Sequence, residues 1–318
     1  MSDRYDTINL NQTLTDYAIS SYALPENDFV ADRLAPVVRV NKTPGKYVIF
    51  TNKAAIRDDY DLEVAPGAAS NRSSREHSSA TFECVEYGLA EDIPDGERDN
   101  SDPIIAPEMD ATAQLVRKQK LAREKRLNTI VMTSGNWTNT AGATTHWNNT
   151  TGVKIETDID AAKLSIHQTT GIYPNTIVIP AHIAVVAKKD STIRDMIRYT
   201  DPTLLVNGEL PPVMFGLNVI IPQSLFDEAE FGISTADPDF TWDDNNVWVG
   251  YVNPNPNPQK GDMTAMSTFR QPLNGSMDIA VYRWYEDNTH STTIDSRVRE
   301  VAKVVSAGAG YVITTCYS

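Results

Sequence analysis

Apolar positions along the 318 residues fall into short period-two runs, one long helical run and several polar stretches, and their order outlines the elements. Residues 1–36 scatter single apolar side chains among Asn, Thr, Asp and Ser with neither period, which reads as an extended arm. Val37, Val38 and Val40, then Tyr47, Val48, Ile49 and Phe50, mark two strands around the breaker-rich Asn41-Lys42-Thr43-Pro44-Gly45, so a hairpin is expected to begin here. Residues 51–79 offer only Ile56, Tyr60, Leu62 and Val64 as large apolar groups against Arg57, Asp58, Asp59, Asp61, Glu63, Arg72, Arg75 and Glu76. Ordering a chain costs about 1–2 kcal/mol per residue, so this stretch is either disordered or held by a surface outside the protomer. Strand character resumes over 81–90, with Phe82 and Cys84 in one phase and Val85, Tyr87 and Leu89 in the other, as a bulge near position 84 produces. The polar stretch therefore reads as a long loop projecting from a sheet.

Residues 108–133 contain neither Gly nor Pro and are rich in helix formers, with Leu115, Val116, Leu121, Leu127, Ile130 and Val131 as larger apolar residues. A helix of about 25 residues is about 38 Å long, long for a globular protein of this size. A Thr/Asn/Gly loop carrying Trp137 and Trp147 follows, and Asp158 is expected to cap a helix running to Gln168. A buried strand at 176–180, helices at 181–188 and 192–199, and strands at 217–222 and 246–252 complete a mixed α/β stretch that ends abruptly at Asn253-Pro-Asn-Pro-Asn-Pro258. Strand arms at 277–284 and 296–305 flank a second projecting turn at 285–291, and 311–315 is a terminal strand.

Composition changes this picture little: 41% hydrophobic and 22% charged residues suit a folded chain. No apolar run reaches the roughly 20 residues of a membrane span, and no membrane partner is expected. Cys84 and Cys316, each in a strand-like run, argue against a disulfide framework. The formal net charge of −14 disfavours a surface devoted to nucleic acid. The exception is the stretch holding Arg117, Lys118, Lys120, Arg123, Lys125 and Arg126 around the single acid Glu124, expected to be the exposed face of the long helix, open to pairing with acids on a neighbour.

Catalytic chemistry is not legible. His77, His146, His167, His182 and His290 are far apart, and none has a partner at metal-ligand spacing. There is no Walker motif, no Gly-x-Ser-x-Gly, and no His or base beside either Cys. Gly308-Ala309-Gly310 lacks the rest of a dinucleotide turn and reads as a tight turn before the last strand. Asp237, Asp239, Asp243 and Asp244 do not have calcium-loop spacing and read as a solvated loop. No cofactor, no metal and no enzymatic activity are expected.

Arm, long polar hairpin loop, long helix, mixed α/β stretch, second hairpin and terminal strand follow one another in a characteristic order. Tyr173-Pro174-Asn175-Thr176-Ile177-Val178-Ile179-Pro180, then Ile193-Arg194-Asp195-Met196-Ile197-Arg198-Tyr199, Phe215-Gly216-Leu217-Asn218-Val219 and Val247-Trp248-Val249-Gly250-Tyr251-Val252-Asn253-Pro254 add local patterns. In these the chain resembles the tailed-bacteriophage major capsid protein of the Hong Kong 97 type. The resemblance covers nearly the whole chain and is densest from 171 to 258.

The resemblance implies an α+β capsid fold divided into an N-terminal arm (1–38), an extended β-hairpin loop (39–81), a peripheral domain (82–153) with spine helix 108–133, and an inserted α/β axial domain (154–265). A peripheral long hairpin (266–305) and a terminal strand returning to the axial domain (306–318) complete it. It implies self-assembly as hexamers and pentamers into an icosahedral head assembled in a bacterial cytoplasm, enclosing double-stranded DNA without binding it specifically, with the extended loop lying over a neighbouring subunit. Arg57, Asp58, Asp59, Arg72, Arg75 and Glu76 are the candidate inter-subunit contacts. Only about 36 residues precede the first strand, so scaffolding is expected from a separate protein or from none, alongside portal and decoration proteins. Some members crosslink Lys to Asn; Lys42 and Lys53 lie in the corresponding loop, but no crosslink is expected. The rival readings are an encapsulin-like nanocompartment shell and, more distantly, an α/β enzyme with its site between two domains.

Overall fold

Two six-stranded sheets share one long helix. The computed structural model describes residues 9–23, 29–49, 63–64, 66–67, 69, 78–100, 106–149, 152–200, 210–227, 238–242, 245–257, 262–274 and 277–318. The first sheet holds β1 (Asn9–Leu10), β2 (Val37–Arg39), β5 (Val85–Pro94), β13 (Met266–Arg270), β14 (Ala280–Glu286) and β15 (Ser291–Val304). The second runs in the order β6 (Asn139–Gly142), β16 (Gly310–Thr314), β12 (Val247–Gly250), β7 (Thr176–Val178), β9 (Leu217–Ile220), β8 (Val213–Met214). Two short pairs stand apart: β3 (Pro44–Ile49) with β4 (Ser78–Glu83), and β10 (Leu225–Phe226) with β11 (Asp239–Phe240).

β15 is the axis of the first sheet. Glu300 pairs with Val85 of β5 and with Arg270 of β13 at once, so these two strands lie on opposite edges of β15. β14 continues the β13 edge, facing residues 291–297, and β2 is added outside β13 in parallel. The sheet thus ends on β5 at one side and on β1 and β2 at the other.

The helices are α1 (Gln12–Ala23), α2 (Ala31–Leu34), α3 (Asp95–Asn100), α4 (Pro107–Met132), α5 (Ile155–Thr170), α6 (Ala181–Ala187) and α7 (Ser191–Thr200). The 26-residue α4, about 39 Å long, starts on Pro107, whose missing N–H costs nothing in the first turn. Its first half lays Ala111, Leu115 and Val116 against Ile93, Val281, Ile294 and Val298 of the first sheet. Its second half lays Leu127, Val131 and Met132 against Val178, Ile220, Trp248 and Val312 of the second. One rigid rod therefore joins both cores.

Alternation splits the second sheet between two apolar layers. Val247 and Val249, like Tyr311 and Ile313, face a core built with Ile155, Ile159 and Ile166 of α5 and Ile183 and Ala187 of α6, while Trp248 and Val312 face α4. α5 stops where Gly171 takes a left-handed φ of 76° and returns its N–H to His167 O at 2.7 Å.

Four expectations change. The stretch read as an extended arm contains α1: Asn11 Oδ1 accepts from Leu14 N at 3.0 Å, and Leu14, Thr15 and Ala18 form a buried stripe against α4 and β14. So short a stripe is invisible in sequence, because packing and not propensity stabilises such a helix. β2 and β3 do not pair with each other; β2 joins β13, and β3 finds its partner 29 to 39 residues on, in β4. Asp158 is not a cap: α5 starts at Ile155, and the buried carboxylate accepts Thr144 N and Oγ1 at 3.1 and 2.6 Å and Trp147 Nε1 at 3.1 Å. The second hairpin carries its strands nearer the turn than expected, with Glu286 facing Ser291. The strand break at Cys84 is where the phase switch placed it.

Candidate assembly site

The six candidate contact residues, Arg57, Asp58, Asp59, Arg72, Arg75 and Glu76, all lie outside the described residues, as do Lys53 and His77. The root of their loop is described. β3 and β4 leave the first sheet at Cys84, and their inner face carries Tyr47 and Phe82 onto Phe269 of β13. Phe82 stacks on Phe269 with centroids 4.3 Å apart and planes at 6°, Tyr47 lies 5.2 Å from the same ring, and the Tyr47 hydroxyl donates to Val304 O at 3.0 Å. Gly45 sits directly beneath the Phe82 ring, where any Cβ would collide with it. Aromatic packing on a fixed strand sets the direction in which the hairpin leaves the body.

The basic stretch is a correction. Arg117 and Lys118 are exposed, but Lys120 and Arg123 are buried, and Arg123 pairs within its own chain. Arg123 Nη1 donates to Asp32 Oδ1 at 2.6 Å and Nη2 to Thr268 Oγ1 at 3.2 Å, with Nε 3.7 Å from Glu300 Oε1. Arg126 reaches the same Glu300 oxygen at 3.1 Å while its guanidinium covers the Tyr87 ring at 3.7 Å. Arg270 Nη2 and Nε hold Glu300 Oε2 at 2.7 and 3.2 Å, and Asp278, 3.9 Å from Arg270, is itself forked by Arg39 at 2.9 and 3.0 Å. Burial pushes the Glu300 carboxyl up, but Arg123 and Arg270 outweigh it and hold it below the usual carboxylate range. Charges read as a surface stripe thus lock α4 to the first sheet and to the segment before β2.

Glu124, the one acid of that stretch, is fully buried, about 100° further round the helix from Arg123. Its Oε1 accepts Val30 N and Ala31 N at 2.6 and 2.5 Å, satisfying amides at the start of α2, and its Oε2 accepts Trp242 Nε1 at 3.0 Å. Burial nevertheless prevails over these donors and pushes its pKa upward.

Beside β2 lies a cleft of about 1010 Å³, walled by β2, by the hairpin root at Pro44, Gly45 and Lys46, and by residues 254–257. Arg39, Lys42 and Lys46 give it a basic rim. Around the second sheet, Leu164, Tyr173, Val185 and Val213 are apolar and exposed, the kind of surface that marks contact with another macromolecule when contiguous. No group of three His, Cys, Asp or Glu able to hold a metal ion occurs among the described residues. His167 stacks on Tyr173 and His182 meets Tyr317 edge-on; Asp239 lies in β11, while Asp237, Asp243 and Asp244 are outside the described residues.

Solved structures match this arrangement from end to end. A phage-related protein from Bordetella bronchiseptica RB50 superimposes with a TM-score of 0.69 at 17% identity, over 96% of this chain and 97% of that one. The capsid of cyanophage P-SCSP1u superimposes at 0.59 with 11% identity, over 92% and 89%. The fold is that of phage capsid proteins. The encapsulin of the holo-SrpI complex from Synechococcus elongatus PCC 7942 shares the capsid fold at a TM-score of 0.53 and 10% identity, over 89% and 85%. No family model matches the chain, and no curated protein matches it by sequence. The described helices include none long and apolar enough to cross a membrane.

Proposed function

We propose that the protein is the major capsid protein of a tailed bacteriophage, assembling as hexamers and pentamers into an icosahedral head around double-stranded DNA. The observation that carries this reading is the end-to-end likeness to capsid chains and to a phage-related protein, which leaves almost no part of the chain for another architecture. In this reading residues 154–265 form the axial domain around the symmetry axes. Residues 82–153 and 266–305 form the peripheral domain, 1–38 the arm and 306–318 the returning strand. Loop 39–81 lies over a neighbouring subunit and carries Arg57, Asp58, Asp59, Arg72, Arg75 and Glu76 to it. Its aromatic root supports this, since a rigidly aimed hairpin presents a distant surface at low entropic cost. Scaffolding, portal and decoration proteins are the separate partners, and the acidic balance keeps packaged DNA from adhering to the wall.

A second reading, a nanocompartment shell enclosing proteins, is supported by the likeness to the encapsulin chain. Negative-stain microscopy with light scattering on the purified protein, across salt and concentration, tests both. Closed shells or five- and six-membered rings support a shell, and nucleic acid or enzyme contents of shells made in cells divide the two readings. A compact monomer under every condition would sink both.

A further inference from the structure

Among the described residues, the first sheet ends in two strand edges that carry no further strand and differ in charge. At β2, Thr268 N donates to Pro36 O and Val40 N to Arg270 O, so the even-numbered residues turn their main-chain groups toward β13. The N–H and C=O groups of Val37 and Arg39 therefore point away from the sheet, into the cleft of about 1010 Å³. At β5, Asp95 N donates to His290 O in the register that continues along β15, so odd-numbered residues bond to β15 and Glu86, Gly88, Ala90 and Asp92 turn their main-chain groups outward. All four are exposed, flanked by half-exposed Val85 and Leu89. Residues 37–46 contain Arg39, Lys42 and Lys46 and no acid, whereas residues 85–95 contain Glu86, Glu91, Asp92 and Asp95 and no base. Arg39 is balanced by Asp278, Glu86 by Arg297 and Arg299, and Asp95 by Arg98. Among the described residues, Lys42 and Lys46 remain without a paired acid on one edge, Glu91 and Asp92 without a paired base on the other; Asp92 Oδ1 accepts from Thr293 Oγ1 at 2.6 Å, and one Glu91 carboxylate oxygen is buried without a hydrogen-bond partner.

We propose that the β2 edge and its cleft receive the β5 edge of a second copy of this chain, so that the first sheet continues head to tail from one subunit to the next. The inference rests on the self-assembly reading above and adds the surface through which it occurs. Proteins ordinarily blunt or cover an open strand edge, because its unpaired amides template association; here no strand among the described residues pairs with the outer edge of the ten-residue β5, and the far end of the sheet is basic. A contact between two different edges is heterologous, and it closes a ring when the rotation from copy to copy divides a full turn.

The test uses the full chain. Lys42→Glu/Lys46→Glu makes both edges acidic, and Ala90→Lys/Asp92→Lys makes both edges basic; all four positions are exposed. Circular dichroism and melting establish that each variant folds. Each alone should assemble at least tenfold less than the parent, by light scattering and negative-stain microscopy. A milder Lys42→Gln/Lys46→Gln variant should fall between. Mixed in equal amounts, the two reversed variants should recover rings of six and not of five, since alternating copies close only even rings. Parent-like assembly of either reversed variant alone, or a mixture that recovers nothing or forms five-membered rings, would overturn the edge pairing while leaving self-assembly intact. A parent protein that never assembles would overturn both.

Discussion

Arg270 grips Glu300 through two nitrogens, at 2.7 and 3.2 Å, and both side chains are almost wholly withdrawn from water. The two residues sit opposite each other on β13 and β15, and Arg123 and Arg126 reach the same carboxylate from α4. Removing one partner of a buried ion pair leaves the other charge uncompensated, at about 3–5 kcal/mol. Glu300→Gln should lower the unfolding free energy by about that amount, and Arg126→Ala, at a half-exposed position, by clearly less. Urea denaturation of the two variants checks the order; equal losses would show that the pair does not govern the junction.

Acid should act on this junction in two opposed ways. Glu300 and Asp32 are displaced below their ordinary values of 4.5 and 3.8. The stability they add is complete above those values and drains away as pH falls below them. Asp32 is largely exposed and contributes less. Glu124 is displaced above 4.5, so the folded chain takes up its proton first and gains stability as pH falls toward that value. Denaturation midpoints at pH 7, 5 and 3.5 should show little change or a slight rise, then a fall. Glu124→Gln should remove the rise, and Glu300→Gln should flatten the acid limb.

The hairpin root depends on ring packing. Phe82→Ala should cost about 3–5 kcal/mol, the usual range for a buried Phe, and should make the 44–83 hairpin the first site of limited proteolysis. Gly45→Val drives a side chain into the same ring and should give the same cleavage pattern. Unchanged cleavage in both would mean that the hairpin is held elsewhere.

Asp158 ties the loop after β6 to α5 through three donors. Asp158→Ala strands the Trp147 indole N–H in a buried site, a loss of about 1–3 kcal/mol. Trp147→Phe, which removes one donor and leaves the carboxylate bound to Thr144, should be milder. A melting series on the two variants decides this.

The long helix, the strand break at Cys84 and the α/β stretch from 155 to 250 were legible because each is encoded locally: by a run of helix formers, by a change of phase within a strand, and by buried strands between helices. α1 was not legible, because its stripe of Leu14, Thr15 and Ala18 acquires meaning only against α4. The partner of β3 lay beyond a long polar stretch, and short-range turn chemistry pointed to β2 instead.

The sequence by itself determined the long helix, the strand break at Cys84 and the mixed α/β stretch, and their order pointed to the capsid-type fold that the solved structures share. Only tertiary structure decided what the charges do. Arg123 and Glu124 are adjacent in a run of bases, yet a helix turns successive residues by about 100°, sending one to Asp32 and Glu300 and the other to the amides of α2. Which strand edges carry no further strand among the described residues was likewise decided by pairing across about two hundred residues, between β5 and β15 and between β2 and β13, because hydrogen-bond partners distant in sequence leave no local trace in it.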